Sequence, residues 1–166
     1  MTGSNTKTHQ QDSGDGLYRR SVYTFVKRFS TPPVLATFDM SARDVCVVQR
    51  ERTNTPLQAL ITLNSPHFLE ASRHIAARAM RQSDTNPAQK IDYMAELVLT
   101  APLKNAQKKV LLQSYDSFRQ SFTEAKAKEY LQSGDSPIDP TLPVRDLAAW
   151  AVVANQLINT DQALNK

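Results

Sequence analysis

Arg50-Glu51-Arg52-Thr53-Asn54-Thr55-Pro56-Leu57-Gln58-Ala59-Leu60-Ile61-Thr62-Leu63-Asn64 joins a basic loop to a sharply marked helix start. Thr55 stands at the N-cap, Pro56 at the first helical position and Gln58 three residues past the cap. A hydroxyl at the cap accepts a bond from the N3 amide, an amide side chain at N3 returns one to the cap, and proline costs nothing where no amide partner exists. Leu57, Leu60, Ile61 and Asn64 then follow at helical spacing, which predicts an apolar face turned into a core.

Working outward, 166 residues make about one ordinary domain, able to bury roughly 70% of the surface its unfolded form exposes. Cys46 is the only cysteine, so no intramolecular disulfide forms, and a Cys-x-x-Cys-His haem attachment signature is absent. Oxidising and reducing compartments are both permitted. The longest apolar run, Leu147 to Ile158, includes Asn155 and Gln156 and falls short of the roughly 20 residues a membrane span needs. Residues 1–16 are polar, without the apolar centre of a signal peptide, and read as a disordered leader to a single helical domain over 17–166. By sequence alone, this places the chain in the cytoplasm.

The net charge of +4 is unevenly placed. Between Leu17 and Arg52, seven basic residues (Arg19, Arg20, Lys27, Arg28, Arg43, Arg50, Arg52) face three acids (Asp39, Asp44, Glu51), an excess equal to that of the whole chain. Such a segment suits phosphate, sulfate or an acidic protein surface. The alternative is local pairing of these arginines with carboxylates and helix C-terminal carbonyls.

The spacing of Tyr18, Val22, Phe25, Val26 and Phe29 predicts an amphipathic helix over 17–29, with a strand as the alternative because Val, Tyr, Thr and Phe also favour sheets. Thr31-Pro32-Pro33 ends it, and 34–39 reads as an extended connection. Ser41 to Gln49 reads as a helical turn capped by Ser41 with Asp44 at N3, and Cys46, between valines, as a buried inert thiol. Ser65-Pro66 opens the next helix immediately after Asn64, a tight corner. Its stripe is Phe68, Leu69, Ser72, Ile75, Ala76, Ala79 and Met80, with Glu70, Arg73, Arg78 and Arg81 mostly outside. His67 and His74 are seven apart, too far for chelation at i,i+4 spacing, and read as surface or half-buried. Pro87 opens a helix with Ile91, Met94, Ala95 and Val98 inward, and Ala101-Pro102 closes it. One long helix is predicted from Asn105 to about Gln132, with Leu111, Tyr115, Phe118, Phe122 and Ala125 in its stripe. Gly134 ends it, and a proline-stiffened loop follows over 136–143. The last helix, from Val144 to about Asn159, is apolar on nearly every side and must have neighbours all round, either as the central helix on which the others pack or as one face of a larger assembly; Asn155 within it needs a hydrogen-bond partner. The fold class is thus all-α, a compact bundle of about five to six helices with a basic N-terminal segment.

Four blocks together are distinctive: Tyr18 to Arg28 (YRRSVYTFVKR), Ala36 to Asp39 (ATFD), Arg50 to Leu60 (RERTNTPLQAL) and Asp146 to Asn159 (DLAAWAVVANQLIN). They resemble the C-terminal domain of large planctomycete proteins, a PSD-type domain of unknown function. In those proteins a cytochrome c-type module and a second uncharacterised domain lie upstream. The resemblance implies no cofactor for this chain, with haem c confined to the upstream module, an extracytoplasmic setting, and a chain that is a truncated or split relative. Val26 departs from a tryptophan in such proteins, and Leu99-Thr100-Ala101-Pro102-Leu103 replaces their Leu-Gly-Arg-x-Pro-Thr turn, removing that turn's arginine.

Three functional readings follow, the third being weak nucleic-acid binding. The first is an interaction or structural module whose partner is an upstream domain or a separate protein. The second is a site for an anionic ligand, such as a sulfated or carboxylated saccharide. It would be built from Arg50, Arg52 and Asn54 at the start of the Pro56 helix, where amides and the helix dipole attract anions, with Arg19, Arg20 and Arg43 converging and Asp39 as the nearby acid. A lone Asp39, without a paired carboxylate, metal ligands or a poised histidine, is a thin basis for acid-base chemistry, and no catalytic constellation is present. Nucleic-acid binding rests on the basic segment alone and lacks a DNA-binding helix pattern.

Overall fold

The structure, a computed structural model, describes residues 14–23, 31–41, 46–49, 53–82 and 86–164. The sequence reading draws one domain over 17–166; the chain divides into two compact units, Met1–Thr53 and Asn54–Lys166. Every regular element among the described residues is helical, as the all-α reading expects.

In the first unit the predicted helix over 17–29 gives way, as far as it is described, to two 3-10 turns, Gly14–Tyr18 and Ser21–Tyr23. Residues 24–30 lie outside the described residues. The extended connection expected over 34–39 is instead a short helix, α1 (Pro33–Thr37), because Pro33 at N1 carries a pre-set helical φ and Pro32 accepts from the Ala36 amide at 3.0 Å. Asp39, at φ +57°, then turns the chain in the left-handed region that Asp tolerates. Of the turn expected over 41–49, residues 42–45 are outside the described residues and 46–49 are not helical. Cys46 is exposed rather than buried, beside exposed Val47 and Val48.

The second unit holds α2 (Pro56–Asn64), α3 (Pro66–Gln82), α4 (Pro87–Leu99), α5 (Asn105–Ser121), α6 (Glu124–Leu131), α7 (Val144–Ile158) and α8 (Asp161–Leu164). The capping box at α2 forms in full: Thr55 Oγ1 accepts from the Gln58 amide at 3.4 Å and Gln58 Oε1 from the Thr55 amide at 3.1 Å. Ser65 alone separates α2 from α3, so the corner is as tight as the two prolines require. Asn86 caps α4 by accepting from the Ala88 amide at 2.9 Å. Thr100 ends α4 at φ +54°. A β-branched residue there bears a backbone strain that glycine would not.

The single long helix predicted from Asn105 breaks at Phe122-Thr123. Thr123 is extended and caps α6, its Oγ1 facing the Lys126 amide at 3.5 Å, and Glu124 at N1 suits the positive end of the new dipole. The break rotates the stripe: Ala127 and Leu131 are buried and Ala125 is exposed, whereas Leu111 and Tyr115 remain buried in α5 as expected.

α7 is the axis of the bundle and packs on α2, α3, α4, α5 and α6. Ala148, Ala149, Ala151 and Ala154 are fully buried, as are Ala76 and Ala79 on α3, its most extensive neighbour; small side chains on both helices let the backbones approach. The larger core residues Ile91, Met94, Leu99, Leu131, Leu147, Val153 and Leu157 fill the surrounding layers, and Trp150 stacks on Tyr115 with ring centroids 3.9 Å apart.

α2 packs against this axis with a face rotated away from the predicted one of Leu57, Leu60, Ile61 and Asn64, of which only Ile61 is half-buried. Gln58 and Thr62 are buried, whereas Leu57 and Leu60 are 55% and 56% exposed. The reason is a polar seam to α7. Asn155 Nδ2 donates to Thr62 O at 3.1 Å, Thr62 Oγ1 donates to Asn159 Oδ1 at 3.1 Å, and Asn159 Nδ2 reaches Ala59 O at 3.4 Å. Buried amides cost about 1–3 kcal/mol unless paired, so α2 turns its hydrogen-bonding face inward and leaves its leucines outside.

Candidate functional site

The residues singled out for an anion site are placed as follows. Arg19 and Arg20 are exposed. Arg43, Arg50 and Arg52 lie outside the described residues. The Asp39 carboxylate accepts from the Thr53 amide at 2.7 Å and from Thr53 Oγ1 at 2.9 Å, tying together residues fourteen apart in sequence. Asn54 Nδ2 donates to Asp161 Oδ1 at 2.6 Å, tying the start of α2 to α8. At that start the capping box already engages the Gln58 amide.

A second polar cluster was not legible as one. Glu70 and Arg73, expected on the outer face of α3, are only 2% and 3% exposed. Gly134, at φ +97°, lies so close to Glu70 that a Cβ there would stand 2.7 Å from the Glu70 Cβ. Only glycine admits both the conformation and the contact. The Glu70 carboxylate then accepts from the Asp135 amide at 2.9 Å and the Ser136 amide at 3.1 Å. Arg73, 4.0 Å from the same carboxylate, donates to the carbonyl of Leu131 at the end of α6, and to Ser136 O and Oγ at 2.7 and 2.6 Å. His74 Nε2 meets Ser136 Oγ at 2.7 Å. The pair therefore spends its charge on loop backbone, and the segment after α6 is held rigidly to α3. Sequence alone carried one signal, an i,i+3 acid–base pair on a helix, and that pattern is most often solvated.

Beside this lock a cavity of about 370 Å³ opens between α3 and the 137–140 loop, with Arg73, His74, Arg78, Arg81 and Asp139 around it and Ala77, Ile138 and Leu147 among its apolar walls. Asp139 accepts from Thr141 Oγ1 at 2.6 Å and the Thr141 amide at 2.9 Å and pairs with Arg81. The Thr141 hydroxyl and amide, with Arg81, hold its carboxyl down to about 2. A carboxylate whose folded pKa is depressed stabilises the fold above its unfolded value. Asp139 therefore contributes fully above about pH 4 and loses that contribution as pH falls toward 2. The expected result is a carboxyl-carbon NMR titration of Asp139 with a midpoint near 2, and acid unfolding that begins at higher pH in Asp139→Asn.

Among the described residues no three His, Cys, Asp or Glu side chains are grouped as metal ligands, and no helix is long and apolar enough to cross a membrane.

No curated protein and no solved structure matches this chain. A family does, and the match runs over residues 1–115, from the N-terminus through α2, α3 and α4 to the middle of α5. It takes in the Arg50 to Leu60 block and stops short of α7. The chain belongs to the PSD1 family, described as a protein of unknown function (DUF1553).

Proposed function

We propose that this chain is a helical interaction module that docks another protein domain through the outer face of α2. The partner is an upstream domain of a multidomain parent or a separately made protein. The observation that supports this reading is the inversion of α2. Leu57 and Leu60, with Leu63 one turn further, form an exposed apolar row on a helix with no charged residue, while Gln58 and Thr62 are turned inward. A solvent-facing helix carries the opposite arrangement, and an apolar row without charges suits a partner that is itself apolar at the contact. The apolar α7 does not serve this role, because α2 to α6 already enclose it.

Photo-crosslinking tests the proposal. A photoreactive residue at position 60, in cells making the natural full-length protein, is expected to give one discrete adduct on another domain or protein. The same residue at exposed Lys109 of α5 gives none. Adduct formation is expected to vanish in Leu57→Ser, while the melting temperature of that variant stays within about 2 °C of the parent because the side chain is exposed. An adduct only to the chain's own residues 17–53, or equal labelling from position 109, overturns the proposal.

A further inference from the structure

The cavity beside α3 carries more cationic charge than its surroundings neutralise, and the geometry points to a binding site for a small carboxylate with an apolar body. The site is separate from the α2 face, and neither depends on the other. Three features carry the inference.

The first is charge. Arg73, Arg78 and Arg81 border the cavity against Asp139. Arg81 is matched by Asp139, and Arg73 by Glu70 beneath it. Arg78 has no hydrogen-bond or carboxylate partner among the described residues, so one guanidinium is left over at the rim. A guanidinium offers a planar fork of donors that matches a carboxylate in a bidentate pair.

The second is the lining. Half-buried Ile138, with Pro137 and Pro140, offers apolar surface beside the buried Ala77 and Leu147, and about 370 Å³ sits at the low end of the roughly 300–1,000 Å³ typical of small-molecule sites. One excess positive charge and an apolar interior together select a monoanion with a compact apolar group over a bare inorganic anion.

The third is rigidity. Both walls are set before any ligand arrives. Glu70 and Arg73 pin Ser136 to α3, Pro137 and Pro140 restrict the loop backbone, and Asp139 fixes its turn through Thr141. A preformed site loses little conformational entropy on binding.

Titration of the ¹⁵N-labelled full chain with phenylacetate, followed by amide chemical shifts, tests the site. Phenylacetamide tests the need for charge, and acetate the need for the apolar body. The expected result is saturable shifts confined to 73–81 and 136–140 with phenylacetate, and binding at least about tenfold weaker for either control. Arg78→Gln, on an exposed position that does not threaten folding, is expected to weaken phenylacetate at least about tenfold while leaving the free spectrum otherwise unchanged. The proposal is overturned by the absence of saturable shifts, by shifts elsewhere on the bundle, by phenylacetamide binding as well as phenylacetate, or by Arg78→Gln binding as tightly as the parent.

Discussion

Glu70→Ala is expected to destabilise the chain by about 3–5 kcal/mol, a loss large enough to threaten folding near body temperature. The substitution removes the carboxylate that faces the buried Arg73 guanidinium and the acceptor for two loop amides, those of Asp135 and Ser136. Uncompensated burial of a charge is costly in a way that loss of a surface pair is not. It also opens a space next to Gly134, which Glu70 now fills. Urea unfolding followed by circular dichroism measures the loss as a lowered midpoint at nearly constant slope. The decisive comparison is a double-mutant cycle with Arg73→Ala. If the pair acts as one unit, the double variant costs clearly less than the two single losses added together, because removing both partners leaves no orphaned charge. A cost below about 1 kcal/mol for Glu70→Ala would mean that water reaches the pair and that it behaves as a surface salt bridge.

Trp150→Ala is expected to cost about 3–5 kcal/mol through a different mechanism, the loss of a large buried ring and the cavity left behind. Trp150 is fully enclosed in the middle of α7, where its indole stacks on Tyr115 at an interplanar angle of 19° and has the Lys90 ammonium 6.0 Å from its centroid. Stacking of this kind adds about 0.5–1.5 kcal/mol beyond area burial. Tyr115 is also held from its other end, donating to Asp146 Oδ1 at 3.3 Å, while Arg119 pairs with the same carboxylate at 2.6 Å. The ring therefore cannot swing far into the space that Ala leaves, and the cavity stays open. At roughly 4 °C per kcal/mol, the expected fall in melting temperature is about 10–20 °C. Trp150→Phe, which keeps an aromatic ring against Tyr115, should recover much of it. Trp150 is the only tryptophan, so its fluorescence reports core unfolding in the parent chain. The variants are compared by circular dichroism.

The two losses differ in how visible they are from the sequence. Trp150 sits in a run with apolar residues on every side of a helix, and such a helix must be enclosed by neighbours, so its burial follows from pattern while the bundle supplies those neighbours. Helix starts were equally legible. Thr55-Pro56, Ser65-Pro66 and Asn86-Pro87 are local signals, satisfied by atoms within three or four residues, and each helix begins where they stand. The Thr123 cap belongs to the same class but was masked by the continuous stripe of Phe118 and Phe122 around it. By local pattern the prolines at 32 and 33 are a stop, yet the second of them opens α1.

Burial of the polar groups was not legible. Glu70 on its own helix face has no marker that separates it from a solvated acid. Its burial depends on Gly134, Asp135 and Ser136, more than sixty residues away, arriving with their amides turned toward it. The same holds for α2. By apolar spacing its leucines belong inside, and they are outside because Thr62 and Ala59 meet Asn155 and Asn159 across about a hundred residues of sequence. By itself the sequence determined the all-helical class, the starts of α2, α3, α4, α5 and α7 and the enclosure of α7, since caps and apolar periodicity act within one element. Only the tertiary structure decided which face of α2 is exposed and where a carboxylate and a guanidinium can be buried, because an unpaired polar group is costly and its partner is chosen by the fold, not by its neighbours in the chain.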